Sequence, residues 1–389
     1  MWRCTGPRWS GAGTTAGAGG RFEQRLGWYC AERGEERNSA LPAGKLLAFA
    51  ARGERRCLGV RRAGRWIVCP YAAVLDGAGA RDQCDDCAQL DRSRSVAADT
   101  MADDPRPYAV YLAYFGPGLL KVGITAAERG PARLVEQGAV AYAWLGRGPL
   151  MAARRAETVL GSALGVPDRF AKEAKRAVRG ALPPVSDRLA ELGQLHHAAR
   201  ELAGWPETLE PLEFAGVDHT ELFGLDRIPR AVAELGGMTA GAEIVGEVLA
   251  GVGADVYLRL VAEGAGAGVE AGGGVGAEGD GEGDGDADGG RGVDGDVGAG
   301  VGAAAEAGGG CDGGGSPGGG PGGGVVAVMD ARLLSGWVLG AAAGRVTTVP
   351  VREAAYGAGS GRGSGGGRGS GSGGGERPGE GAGEQEGLF

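Results

Sequence analysis

The stretch that decides the fold is "VYLAYFGPGLLKVGIT", residues 110–125. Aromatic and β-branched residues, which favour strands, crowd both of its ends, and the Gly-Pro-Gly of residues 116–118 stands between them. Glycine and proline together are typical of a tight turn. The sequence therefore predicts a hairpin of two short strands, Tyr108–Phe115 and Leu119–Ile124.

Beyond the hairpin the pattern becomes largely helical. A short helix is expected to follow Pro131, since proline suits a first helical turn, and residues 139–145 indicate a third strand. Val159, Leu160 and Leu164 lie on one apolar stripe, which is typical of a helix packed against a core. The pattern predicts an α+β fold with helices over Leu150–Leu164, Asp168–Arg179 and Asp187–Leu202.

Two Gly-rich tracts interrupt the chain, and together they hold many of its 83 glycines. Such tracts have too little apolar surface to offset the entropy of ordering, so we expect both to be disordered. The first separates strand-like residues 239–261 from residues 325–339. It is either an insertion within one small β unit or the boundary of a separate, weakly folded segment. The expected organisation is a β-rich module with a cysteine cluster (1–100), a domain built on the hairpin (107–182), helices with β strands (183–261), the insertion (262–324), strands completing the β unit (325–355) and a tail (356–389).

Charge is distributed unevenly. Residues 262–324 carry twelve acidic residues and one Arg, a net of −11, against −9 for the whole chain. Residues 147–179 instead hold eight Lys or Arg and three acidic residues. A basic segment beside an acidic tract indicates either nucleic-acid contact with a polyanion competing for it, or simply a solvated helix face.

Nothing in the sequence points to a membrane or to export. The first residues, "MWRCTGPRWSGAG", lack the apolar run of a secretory signal. The apolar stretch of residues 325–343 contains Asp330 and Arg332, which makes it a poor membrane span. We expect a cytoplasmic protein, in which cysteines bind a metal more readily than they form disulfides.

Four of the seven cysteines have the spacing C-x11-C-x14-C-x2-C. The closest pair can offer two thiolates to one ion through a tight turn, and "LGVRRAGRWIV" between the first two can form a hairpin that brings them together. Four thiolates would bind one structural zinc ion and leave no position open for water. The alternative is a set of buried or redox-active free thiols. The four residues are Cys57, Cys69, Cys84 and Cys87.

Four motifs resemble the GIY-YIG nuclease superfamily. They are "AVY" (109–111), "KVG" (121–123), "ARL" (132–134) and "RRAE" (154–157), and the second is closest to the branch whose second motif reads like K-I-G-I-T. The arrangement is also similar to an uncharacterised bacterial family of domains of unknown function, in which a cysteine cluster precedes this domain. The resemblance covers roughly residues 40–180 and, less closely, the β unit beyond residue 239.

The resemblance implies a three-stranded antiparallel sheet between helices and an active site for phosphodiester cleavage. Tyr111 matches the tyrosine that orients or activates the attacking water, and Arg133 matches the arginine that stabilises charge on the phosphate. Glu157 matches the glutamate that binds a single divalent metal, for which magnesium is suited. Lys121 stands where the family has a second tyrosine, and no histidine lies between Arg133 and Glu157.

The sequence leaves two functions open. One is a metal-dependent endonuclease that uses Tyr111, Lys121, Arg133 and Glu157. The other is a non-catalytic, zinc-stabilised module that binds DNA or RNA through a degenerate nuclease site. A protein-interaction scaffold that uses the acidic tract is a third, weaker alternative. Taken singly, Tyr111 is also compatible with a core aromatic, and Arg133 and Glu157 with exposed helix charges.

Overall fold

The computed structural model describes residues 1–11, 22–62, 65–91, 104–167, 169–261 and 324–353. All of them lie within one unit, Met1–Tyr356. The Gly-rich tract predicted to be disordered over 262–324, apart from Gly324, and the tail 356–389 lie outside the described residues.

The described residues form a mixed α+β structure, as the sequence predicts. The strands are β1 Trp2–Gly11, β2 Phe22–Cys30, β3 Glu35–Ala40, β4 Leu46–Arg52, β5 Val60–Arg62, β6 Arg65–Ile67, β7 Tyr108–Tyr114, β8 Leu120–Ala126, β9 Ala141–Gly148, β10 Glu210–Pro211, β11 Val217–Asp218, β12 Ala233–Leu235, β13 Glu243–Val252, β14 Asp255–Leu260, β15 Val326–Asp330, β16 Val338–Ala341 and β17 Val351–Glu353. The α-helices are α1 Asp85–Leu90, α2 Ala132–Gln137, α3 Leu150–Leu164, α4 Lys172–Arg179, α5 Val185–Glu201 and α6 Thr220–Phe223, and 3-10 turns span Ala127–Arg129, Leu225–Arg227 and Ala331–Leu334.

The predicted hairpin is confirmed as β7 and β8. β7 is central in its sheet, with β8 on one side and β9 on the other, and both neighbours run antiparallel to it. A hydrogen bond from the Phe115 N–H to the Leu119 carbonyl oxygen (2.9 Å) closes the turn. Gly118 in that turn has a φ of +68°, which glycine adopts without steric cost. β10 and β11 pair with the outer edge of β9.

β7 is buried along its whole length, and its two faces belong to different clusters. Val110 and Leu112 pack in the cluster that contains Ala153 and Leu160 of α3. Side chains alternate along a strand, so Tyr111 lies on the opposite face and packs in a second, smaller cluster. The apolar stripe on α3 therefore covers one face of the sheet and leaves the Tyr111 face for other elements.

The largest sheet has the order β16-β4-β13-β14-β15-β12-β17. β4 comes from the N-terminal part of the chain but pairs with β13, about 200 residues later. β14 and β15 pair antiparallel although the Gly-rich tract separates them in sequence. β1, β2 and β3 form a separate antiparallel sheet, and β5 pairs with β6.

A buried ion-pair network fixes α4 to this large sheet. Arg176 and Arg179 both contact the carboxylate of Asp255 at the start of β14, the second at 2.5 Å. Arg176 also donates to Glu234 in β12, at 2.8 Å. Arg176, Arg179 and Asp255 are each less than a tenth exposed. Because buried charges are costly unless paired, this network determines where α4 and its Lys175 lie.

Candidate functional site

The Tyr111 ring lies across Gly123 of the neighbouring strand. The two residues are direct cross-strand partners, and a Cβ at Gly123 would stand 2.4 Å from the Tyr111 hydroxyl oxygen. A glycine is therefore required for the ring to lie where it does. This contact explains why the first strand carries a tyrosine and the second carries Lys-Val-Gly: Lys121 and Gly123 share the Tyr111 face of the hairpin.

Gln137 joins Tyr111 and Lys121. Its Nε2 donates to the Tyr111 hydroxyl oxygen (2.9 Å), and its Oε1 accepts from the Lys121 Nζ (3.0 Å). Because Gln137 donates to the phenol oxygen, the Tyr111 proton remains available to an acceptor other than Gln137. Gln137 ends α2, where Gly138 takes the left-handed conformation (φ +70°) that terminates a helix. The sequence interpretation did not identify Gln137, although it lies in the "EQGA" stretch directly before that glycine.

Arg133 and Glu157 lie on two different helices, α2 and α3, and the charges of both act on the Tyr111 hydroxyl. The Arg133 side chain on α2 is 38% exposed, and its Nη1 lies 3.9 Å from the Glu136 Oε2. Glu157 is half-buried on α3. Burial raises the pKa of Tyr111, with a further increase from the negative charge of Glu157, against opposing effects of the Gln137 hydrogen bond and the Arg133 charge. The phenol is therefore protonated at neutral pH and is a hydrogen-bond donor there rather than a base.

Lys175 on α4 reaches the same face and was not identified from the sequence. Its Nζ lies 3.4 Å from the Gln137 backbone oxygen and 3.9 Å from the centroid of the Phe115 ring. The only sequence signal was its position in the basic run of residues 147–179, where lysines are ordinarily expected to be solvated. Tertiary packing, with α4 fixed by its buried arginines, places it at the site.

The resulting face is rich in positive charge. Lys121, Arg133 and Lys175 come from three different elements. Lys121 and Lys175 both contact Gln137, which also binds the Tyr111 hydroxyl, and the charge of Arg133 acts on both Tyr111 and Lys175. Ammonium, guanidinium and hydroxyl donors together suit an anion with several oxygens, such as a phosphate group. The described arrangement is therefore chemically suited to bind a phosphate.

The four predicted cysteines form a second candidate site. The Sγ atoms of Cys57, Cys69, Cys84 and Cys87 lie within 4.8 Å of one another, and those of Cys69 and Cys84 are 3.9 Å apart. Four sulfurs in a tetrahedron around one zinc ion stand about 3.8 Å apart. The cluster thus has the donor set and the dimensions to hold a metal ion such as zinc.

Local structure brings the thiols together. β5 and β6 pair as the predicted hairpin between Cys57 and Cys69, while Cys84 and Cys87 stand at the start of α1. The Cys57 Sγ accepts from the backbone N–H groups of Gly59 (3.4 Å) and Cys84 (3.3 Å). Burial raises the pKa of Cys57 and, together with the neighbouring thiols, that of Cys87. Burial also acts to raise the pKa of Cys69, but hydrogen bonds outweigh it and lower that pKa to about 7. Backbone donors of this kind stabilise thiolates, the form that binds metals.

Arg55 attaches the cysteine module to the large sheet. Arg55 is 1% exposed, and its guanidinium donates to the backbone oxygens of Ser335 (2.7 Å), Asp76 (2.5 Å) and Gly79 (2.5 Å). Sequence reasoning did not assign it this role, because its acceptors are main-chain oxygens far away in sequence. The cysteine cluster is thereby fixed to the body of the protein.

In the described part of the chain, no helix is both long enough and apolar enough to cross a membrane.

Comparison with known proteins identifies one family. A family model described as "Protein of unknown function (DUF2797)" matches residues 44–261. The match extends from β4 to the end of β14 and includes the four cysteines, the hairpin sheet and Lys175. The expected similarity to an uncharacterised domain family is confirmed. No curated protein and no solved structure matches the chain.

Proposed function

The chain belongs to the DUF2797 family of proteins of unknown function, and we propose that it binds nucleic acid on the Tyr111 face and cleaves its phosphodiester bonds there. One observation carries the proposal: the Tyr111 hydroxyl and the Lys121 ammonium meet at Gln137, and the charges of Arg133 and Glu157 both act on that hydroxyl. These are the four residues that the GIY-YIG resemblance selects, and the order β8-β7-β9 is compatible with a GIY-YIG-like sheet.

Each residue has a role that its chemistry supports. Arg133 and Lys121 contact phosphate oxygens, and Arg133 stabilises the charge that gathers on them in the transition state. Tyr111, protonated at neutral pH, donates a hydrogen bond that positions the phosphate or the attacking water. A lysine in place of the second tyrosine adds a point charge rather than a second phenol.

Glu157 would hold the divalent cation that the fold resemblance implies. It is a half-buried carboxylate. Among the described residues, the group of three or more potential metal ligands is the four-cysteine cluster, which does not include Glu157. A cation bound by one protein carboxylate completes its coordination shell with water and phosphate oxygens, which is typical of magnesium. When bound, it would neutralise negative charge on the phosphate.

The cysteine cluster would hold a structural zinc ion. Four thiolates complete a tetrahedron and leave no open position for chemistry. The proposed role is to hold the β5–β6 hairpin and α1 against one another. This would stabilise the cysteine-containing segment that precedes β7 in the sequence.

Cleavage with and without magnesium tests this function. The full chain should nick plasmid DNA or cut a labelled DNA or RNA oligonucleotide when magnesium is present. Glu157→Gln should abolish cleavage and retain binding, whereas Glu173→Gln, a matched change at an exposed residue of α4, should retain both. Cleavage that survives in Glu157→Gln would remove this residue from the mechanism.

A second candidate is a module that binds nucleic acid without cutting it. The observation that favours it is the raised pKa of Tyr111, because a protonated phenol cannot accept a proton from water. In this case wild type binds nucleic acid but leaves it intact at every magnesium concentration tested.

A further inference from the structure

We propose that Lys175 is a third phosphate-binding cation of this site, together with Lys121 and Arg133. The inference deepens the proposed function and rests on it. The resemblance that selected the other residues gives no role to α4, so Lys175 is assigned from the structure alone.

The geometry places the Lys175 ammonium beside the other donors. Its Nζ lies 3.4 Å from the backbone oxygen of Gln137, the residue whose side chain bridges Tyr111 and Lys121. The amine packs against the face of Phe115, which follows β7. Side chains from β7, β8 and α4 thus meet at one residue of α2: Gln137 donates to the Tyr111 hydroxyl and accepts from Lys121 and Lys175. The charge of Lys121 also acts on Lys175.

Lys175 has more positive than negative neighbours. Arg179 from its own helix, Lys121 from β8 and Arg133 from α2 all lower its pKa, and Asp255 from β14 opposes them. Asp255 is already shared by Arg176 and Arg179. Burial first, and then these cations, lower the pKa of Lys175 to about 8. A bound anion would supply the missing negative charge.

A pH dependence follows from this arrangement. In the free protein the Lys175 amine loses its proton as the pH rises through about 8. A phosphate beside it favours the ammonium form, so that binding above this pH takes up one proton. Affinity should therefore be constant below about pH 7.5 and fall by up to about tenfold for each pH unit above 8.

The chain offers a direct measurement, because it has only four lysines, at positions 45, 121, 172 and 175. Reductive methylation with ¹³C-formaldehyde would give a resolved signal for each, assigned with single Lys→Arg variants. The Lys175 signal should titrate with a midpoint near 8. Inorganic phosphate should raise the midpoints of Lys175 and Lys121 and leave that of Lys172 in place. A Lys175 midpoint that does not respond to phosphate would overturn the inference.

Binding of a labelled single-stranded DNA provides the second readout. Lys175→Met should weaken binding about tenfold, reduce the salt slope by about 0.7 and remove the loss of affinity above pH 8. Lys175→Arg should keep the affinity but lose its pH dependence, since arginine stays charged. Lys172→Met is the matched control on the same helix. Its ammonium is exposed and lies 3.6 Å from Asp330, so affinity should change less than twofold.

The two readouts separate this inference from the proposed function. If phosphate raises the Lys175 midpoint but no nucleic acid binds, the anion site stands and the nucleic-acid function fails. If DNA binds equally to wild type and Lys175→Met at all pH values, the function stands and the role of Lys175 is refuted. If neither probe affects Lys175 and no nucleic acid binds, both are refuted.

Discussion

The Tyr111 ring on β7 fills the space that a side chain at Gly123 on β8 would need: a Cβ on Gly123 would lie 2.4 Å from the Tyr111 hydroxyl oxygen and 2.5 Å from the ring carbon that bears it. The glycine of the "KVG" motif thus provides the space in which the Tyr111 ring packs. The contact also holds the hydroxyl near Gln137 and the cationic side chains around it.

Gly123→Ala should destabilise the protein although alanine is ordinarily the better strand residue by about 0.5–1 kcal/mol. The added methyl group overpacks against a buried ring, which costs about 1–3 kcal/mol. Urea unfolding of Gly123→Ala, Tyr111→Ala and the double variant measures the contact. The double variant should be more stable than the sum of the single effects predicts. Additive effects would mean that the ring does not lie across Gly123.

Removal of two cysteines should release the proposed zinc ion. Wild type should contain about one zinc per chain by elemental mass spectrometry, and Cys84→Ser with Cys87→Ser should contain none and should melt at a lower temperature, because metal binding supplies folding energy. Cys30→Ser is the control, since Cys30 is buried but lies outside the cluster. A metal-free wild type of unchanged stability would contradict the assignment.

Asp255→Asn should destabilise the protein by about 3–5 kcal/mol, because it leaves two buried arginines with reduced compensation. Burial raises the pKa of Asp255, but Arg179 and Arg176 outweigh it and hold that pKa below its usual range. The stabilisation is therefore complete above the usual carboxylate pKa and lost as the pH falls further. Denaturant unfolding at pH 7 and at pH values from 4 down to 2 measures both effects. Asp226→Asn, at an exposed residue, should change stability by less than about 0.5 kcal/mol.

Lys175→Met should stabilise the free protein at pH 7. The pKa of this amine falls from 10.5 in the unfolded chain to about 8 in the fold, so that holding the proton costs stability at every pH below about 8. The cost disappears as the pH rises from 8 to 10.5, where both states become neutral. The stability difference between Lys175→Met and wild type should shrink across this window. If Lys175→Met is less stable than wild type at pH 7, the buried Lys175 ammonium does not destabilise the folded state.

Local patterns were sufficient for part of the fold and of the site. The turn residues 116–118 and the strand-favouring residues on either side of them predict the hairpin, and the apolar stripe on α3 predicts a helix with the observed bounds. The cysteine spacing predicted a cluster that the structure brings together. In each case the signal lies in residues that are close in sequence.

Gln137, Lys175 and Arg55 could not be identified in this way. Gln137 acts through a side-chain amide that gives no periodic signal, and Lys175 reaches the site because buried arginines fix α4 to β14. Arg55 binds main-chain oxygens as far away as residue 335. Pairing of β4 with β13 is likewise non-local. Such contacts depend on tertiary packing, which a single sequence does not reveal.

The central claim is that the Tyr111 face binds the phosphates of nucleic acid, and fluorescence anisotropy with a labelled oligonucleotide tests it most directly. Lys121→Met with Arg133→Met should weaken binding by at least about tenfold and lower the slope of log affinity against log salt by about 1.4–1.8. Arg259→Met, which removes an exposed charge paired with Glu247 on β13, should bind like wild type. Equal affinity of the double variant and the Arg259→Met control would contradict the claim.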